Sequence, residues 1–96
     1  MPRLTLHNAF QLIPGNAIHL PRPGNPNGCE RWKVSGQVKT WKKNPGRIRV
    51  PLKHGLRHYS AINETDFDSQ GNATYPFKDS EIVKPGMPCS YCGMEH

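Results

Sequence analysis

"RWKVSGQVKTWKKNPGRIRVPL", residues 31–52, decides the fold class. The even positions Trp32, Val34, Val38, Thr40, Ile48, Val50 and Leu52 are apolar or β-branched, whereas the odd positions Lys33, Ser35, Gln37, Lys39, Lys43, Arg47, Arg49 and Lys53 are polar or basic. A period of two marks strands with one face in a core and the other in water. Asn44-Pro45-Gly46 between the two halves has turn chemistry, so the pattern predicts a β-hairpin from about Trp32 to Leu52.

Burial selects the register of that hairpin, because a slip of one residue turns every charge toward the core. Facing residue numbers should sum to an even value, as with Lys43 opposite Arg47 and Trp41 opposite Arg49. Lys39, Trp41, Lys43, Arg47, Arg49 and Lys53 then share one basic surface with an aromatic ring in its centre. Pro51 offers no N–H and places the second strand near an edge or at its end. Residues 56–62 extend the pattern into a third strand. The expected fold is mainly β: a small single domain built on a basic hairpin or three-stranded sheet with long irregular flanks.

Outward from this core, residues 1–28 read as an N-terminal arm, with a strand at Arg3 to His7, a short turn, and a second extended piece at Ala17 to Leu20. "PRPGNPNG", residues 21–28, is a loop or linker, since neither a helix nor a central strand tolerates that density of Pro, Gly and Asn. Residues 29–62 are the basic hairpin core. Residues 63–96 form an acidic loop, anchored by Phe67, Tyr75 and Phe77, and end in a CxxC motif. With 10 Pro and 9 Gly in 96 residues and only 34% hydrophobic residues, a helical bundle is excluded and the core is thin. A metal or a partner would add needed stability.

The net charge of +6 is unevenly spread. Nine basic residues, Arg31, Lys33, Lys39, Lys42, Lys43, Arg47, Arg49, Lys53 and Arg57, face one acid, Glu30, between Cys29 and His58, whereas six acids face two lysines from Tyr59 onward. No stretch approaches the ~20 apolar residues that span a bilayer, and residues 1–13 do not resemble a secretory signal, so a soluble cytoplasmic protein without membrane contact is expected.

The three cysteines are few for a disulfide framework, and Cys89 and Cys92 stand at metal-ligand spacing in "CSYCG". Two thiolates separated by two residues chelate one ion in a tight turn, and Gly93 supplies the backbone dihedral such a turn requires. Cys29, after the turn-forming Asn27-Gly28, is the natural third ligand. His96 is the expected fourth, with His54, His58 and His19 as competitors, and zinc is the metal that Cys3His favours.

Clustered Lys and Arg neutralise phosphates, and an exposed aromatic among them stacks on a base. Lys39, Trp41, Lys42, Lys43, Arg47, Arg49, Lys53 and Arg57 therefore make a candidate nucleic-acid surface, for RNA or single-stranded DNA before duplex. The same face would also suit an acidic partner protein, with Trp41 as an anchor in its pocket, or a structural place in a virion or ribonucleoprotein. For catalysis there is no Gly-rich phosphate loop, nucleophile elbow or close carboxylate pair. Small HNH nucleases combine zinc knuckles with histidines and a basic surface, but their catalytic histidines follow the first knuckle, where this sequence has only "MEH" after Gly93. A non-catalytic role is expected.

"CSYCG" resembles the knuckle of zinc ribbons and treble clefs, without their second CxxC pair. The stretch Trp32 to Ile62, an aromatic strand ending "KTWK", a turn, and "RVPLKHGL" with a following Tyr, resembles small uncharacterised proteins of tailed phages that infect actinobacteria. That resemblance implies a phage origin, with a host protein as the acidic partner of the alternative reading and the host cytoplasm as the location. It assigns no activity and no residue roles.

Overall fold

The computed structural model describes residues 3–22, 24 and 28–93. Six strands are present among them: β1 (Ala17–Pro21), β2 (Cys29–Val34), β3 (Lys39–Trp41), β4 (Asn44–His54), β5 (His58–Asn63) and β6 (Glu81–Val83). They form one antiparallel sheet in the order β3-β4-β2-β1-β6, with β5 on the other edge of β4. The protein is thus a small, mainly β, single-domain fold. No helix among the described residues is long and apolar enough to cross a membrane.

The even-numbered residues build the core. Ile18 faces Ile82, Val34 faces Leu52 and Val50 faces Ile62, and all six are buried. Leu4, Ala9, Leu12, Phe67 and Phe77 close this side from the flanks. The single-turn helix α1 (Leu6–Ala9) starts at Thr5, whose hydroxyl accepts the Asn8 N–H, and buries Ala9. Tyr75, expected as an anchor, is instead 83% exposed, because the buried positions Ala73 and Phe77 flank it.

The hairpin has the anticipated parity but a different turn. Lys39 faces Arg49 and Thr40 faces Ile48, so odd residues do share a face, but Trp41 pairs with Asn44 around a Lys42-Lys43 turn. Pro45, Gly46 and Arg47 therefore lie inside β4 as a bulge, and the expected pairs Lys43/Arg47 and Trp41/Arg49 do not form. Pro45 cannot donate to a ladder, and the shifted register still buries Ile48. The N-terminal region also differs from an arm. Arg3 and Thr5 make only isolated bridges, to Glu81 and Asn72, while β1 is a central strand between β2 and β6.

Candidate functional site

The odd face of the β2-β1-β6 end carries a second buried cluster. Pairing places Arg31, His19 and Glu81 in one row across these strands, and Cys29 opposite Pro21 on the same face. After β6 the chain turns back through Lys84 to Met87 and lays residues 89–93 over this face, where Cys29, Cys89, Ala17 and Val83 are buried and Cys92 packs against them.

The knuckle folds for local reasons. The Tyr91 N–H points at the Cys89 sulfur at 3.4 Å, the Gly93 N–H donates to the Cys89 carbonyl at 2.8 Å, and Gly93 has a φ of 69° that a β-carbon would strain. Gly28, with φ of 78°, turns the chain into β2 in the left-handed region that favours glycine, while a β-carbon there would make ordinary contact, 3.4 Å from the Tyr91 carbonyl oxygen and 3.6 Å from Cys92 Cβ. Buried Glu81 fixes the knuckle from below, because its carboxylate accepts the Ser90 N–H at 3.2 Å and the Ser90 hydroxyl.

His19, Cys29, Cys89 and Cys92 thereby converge, with one ligand atom from each lying within 4.8 Å of the others. Cys29 Sγ to Cys89 Sγ is 3.7 Å, and Cys92 Sγ to His19 Nδ1 is 3.6 Å. A tetrahedral ion with metal–sulfur bonds of about 2.3 Å and metal–nitrogen bonds of about 2.0 Å has S···S edges of roughly 3.8 Å and S···N edges of roughly 3.5 Å. These two edges match such an ion, and the four residues could hold a metal. Burial, followed by hydrogen bonding and charge repulsion from Cys89 and Cys92, pushes the Cys29 thiol up to about 12. Three adjacent thiols do not ionise together unless a cation balances them.

Three of the expected ligands, Cys29, Cys89 and Cys92, are brought together, and the histidine in the cluster is His19. His96 lies outside the described residues. His54 and His58 face the opposite, even side: His54 Nδ1 is 2.6 Å from the Arg31 carbonyl oxygen, and its ring lies 5.2 Å from Trp32 and 6.1 Å from His58. His19 had no local spacing to mark it, and only the β1/β2/β6 pairing carries it to the thiols. Glu81 was likewise unmarked.

The remaining odd face, over β2, β3, β4 and β5, is cationic. Lys33, Lys53 and Tyr59 form one row, and Lys39, Arg49 and Asn63 another. Trp41 is half-buried, and the Arg47 guanidinium lies over its ring at 4.2 Å. Lys42 and Lys43 form the exposed β3–β4 turn, and Arg57 is exposed in the β4–β5 turn. Among the described residues, neither the Arg3–Asp79 nor the Arg22–Glu30 ion pair uses a cation of β3, β4 or these turns. Of the acidic segment, Glu64 sets its carboxylate against β4, accepting the Ile48 N–H at 2.9 Å between Arg47 and Arg49.

The chain matches no protein-family model, and comparison with the curated proteins and with the solved structures found no match.

Proposed function

We propose that the protein is a non-catalytic nucleic-acid-binding module whose sheet is clamped by one zinc ion. The observation that carries the reading is the pair of rows Lys33–Lys53 and Lys39–Arg49 on one sheet face, with Lys42, Lys43, Arg47 and Arg57 at its margins. Such a face neutralises successive phosphates and releases their counterions. RNA or single-stranded DNA suits it better than duplex, because Trp41 and Tyr59 stand on a sheet surface where unpaired bases can reach them.

Zinc fits His19, Cys29, Cys89 and Cys92 by donor type and by the spacing of their ligand atoms. Four protein ligands leave no open position, so the ion would be structural. It would tie residues 89–93 to β1 and β2 and hold the odd face rigid beside the binding rows.

Elemental analysis of untagged protein, with fluorescence anisotropy of a labelled 12-nucleotide oligo(U) across a salt series, tests both parts. One zinc per chain and an affinity that falls steeply with salt support the reading. Salt-independent or absent binding to oligo(U) and oligo(dT) overturns its nucleic-acid half.

A second reading, docking on an acidic protein surface, is favoured by Leu56, which is 87% exposed at the β4–β5 turn beside Arg57. One stoichiometric protein co-purifying through low salt, lost in Leu56→Ser, would support it.

A further inference from the structure

The two rows of cations do not meet. Lys53 lies four positions beyond Arg49 on β4, about 13 Å of strand. Between them the same face carries Pro51, which pairs with Ala61, and both are half-buried. Tyr59 lies two residues before Ala61 on β5, on the same face, and is 69% exposed. The Lys53 ammonium sits 5.8 Å from its ring. The result is an apolar strip, Tyr59 to Ala61 and Pro51, with cations at each end.

The other aromatic on this face is differently placed. Both rings have a cation over one face, Arg47 at 4.2 Å from the Trp41 centroid and Lys53 at 5.8 Å from that of Tyr59, but Trp41 is half-buried. Tyr59 keeps most of its surface in water on β5, which among the described residues pairs with β4 alone. Its chemistry matches a flat, unpaired ring held between two backbone phosphates: the phenol stacks, Lys53 and Lys33 take one phosphate, and Arg49 and Lys39 take another.

We infer that Tyr59 is the base-stacking residue of the chain, and that Tyr59, Ala61 and Pro51 form the floor of a site for about two unpaired nucleotides of RNA or single-stranded DNA. The inference rests on the nucleic-acid reading and adds which residue meets the bases. Stacking needs an unpaired base, so the site discriminates against blunt duplex, whose bases are already stacked on one another. Lysines flank Trp41 in sequence and not Tyr59, so Tyr59 carries no local cue, although the odd-position pattern continues through it.

The test is anisotropy of labelled 12-nucleotide oligo(U), oligo(dT) and a blunt 12-base-pair duplex against wild type, Tyr59→Ser, Tyr59→Phe, Trp41→Ala and Arg49→Ala. Tyr59→Ser is expected to weaken single-strand binding by about 5- to 150-fold with an unchanged salt slope. Tyr59→Phe should bind within about two-fold of wild type, Trp41→Ala should lose less than Tyr59→Ser, and duplex binding should not respond to Tyr59. If Tyr59→Ser binds single strands like wild type while Arg49→Ala weakens them, the stacking site is refuted and the basic-face reading stands. If wild type binds none of the three, both fall together. The exposure of Tyr59 keeps these substitutions clear of the core, and a thermal melt of each variant checks that the fold is intact.

Discussion

Cys29 Sγ lies 3.7 Å from Cys89 Sγ, across 60 residues of chain. The contact joins the first residue of β2 to the knuckle that folds back after β6, so it spans most of the sheet in sequence and almost none of it in space. A loop of that length is costly to close in the unfolded chain, and an ion held by the two sulfurs would offset that cost only in the folded state. The thin even-face core would make that contribution large relative to total stability.

Metal content should follow His19 and not His96. Wild type and His96→Ala are expected to carry one zinc per chain, whereas His19→Ala and Cys29→Ser should lose most of it. Chelation should lower the melting temperature by tens of degrees, since a domain of this size shifts by about 4–8 °C per kcal/mol and a structural zinc contributes several kcal/mol. Elemental analysis paired with melts before and after chelation checks both points. Equal zinc in wild type and His19→Ala would remove His19 from the ligand set.

The Cys29 thiol sets a pH dependence whose direction differs with and without metal. In metal-free protein, burial and the neighbouring thiols raise it to about 12 from an ordinary value of 9.0. The folded state therefore holds a proton that the unfolded state releases, so the contribution is complete below about pH 9 and is lost as pH rises toward 12. Urea midpoints measured with chelator should fall from pH 8 to pH 10.5. Zinc affinity should instead rise with pH over the neutral range, because each thiol must give up its proton to bind. A pH indicator should register proton release on adding zinc.

Glu81 meets the knuckle at Ser90 and, at 3.9 Å, at the Cys89 thiol, so it would orient a ligand of any metal bound there. Glu81→Ala leaves the Ser90 N–H and hydroxyl without their carboxylate, and loosens the turn that orients Cys89. Zinc affinity is expected to fall by about 10- to 100-fold, while one ion still binds at saturation. Competition with a chromophoric chelator measures this. An unchanged affinity would reduce Glu81 to a buried packing group.

The period of two in residues 31–52 made the sheet and its basic face legible, because burial acts on alternate side chains wherever the strands pair. Its turn was not legible. Asn44-Pro45-Gly46 carries the stronger local turn signal, but burial of Ile48 opposite Thr40 places the reversal at Lys42-Lys43 and leaves the Pro-Gly pair as a bulge. The three cysteines were visible as candidate ligands from their spacing and from a neighbouring Gly. His19 was visible only as one of several histidines, since its place depends on the pairing of three strands distant in sequence. β6 went unseen for a related reason: "EIV" is too short to show a period, and only its pairing with β1 makes it a strand.

Two leucines separate core from surface. Leu52, fully buried in β4, should cost about 2–5 kcal/mol when changed to Ala, through lost transfer energy and the cavity left behind. Leu56, exposed at the turn, should change stability by no more than about 0.5 kcal/mol. Urea denaturation compares them directly. A large loss from Leu56→Ala would mean that the tip is covered, as in a self-associated form, and sedimentation would then show it.

The Lys42-Lys43 turn allows binding to be changed with little effect on stability. Both lysines are exposed and neither has a positive φ, so the turn between paired Trp41 and Asn44 accepts ordinary polar residues and does not call for Asn-Gly. The double substitution Lys42→Ser, Lys43→Ser should therefore change stability by no more than about 1 kcal/mol. If both lysines meet phosphates, the same change should flatten the dependence of log affinity on log salt by about 1.4, at roughly 0.7 per phosphate on a single strand. Melting and salt-series anisotropy on one preparation read the two effects side by side. An unchanged salt slope would confine the binding face to the strand rows Lys33–Lys53 and Lys39–Arg49, and a clear loss of stability would show that the lysines hold the turn by contacts of their own.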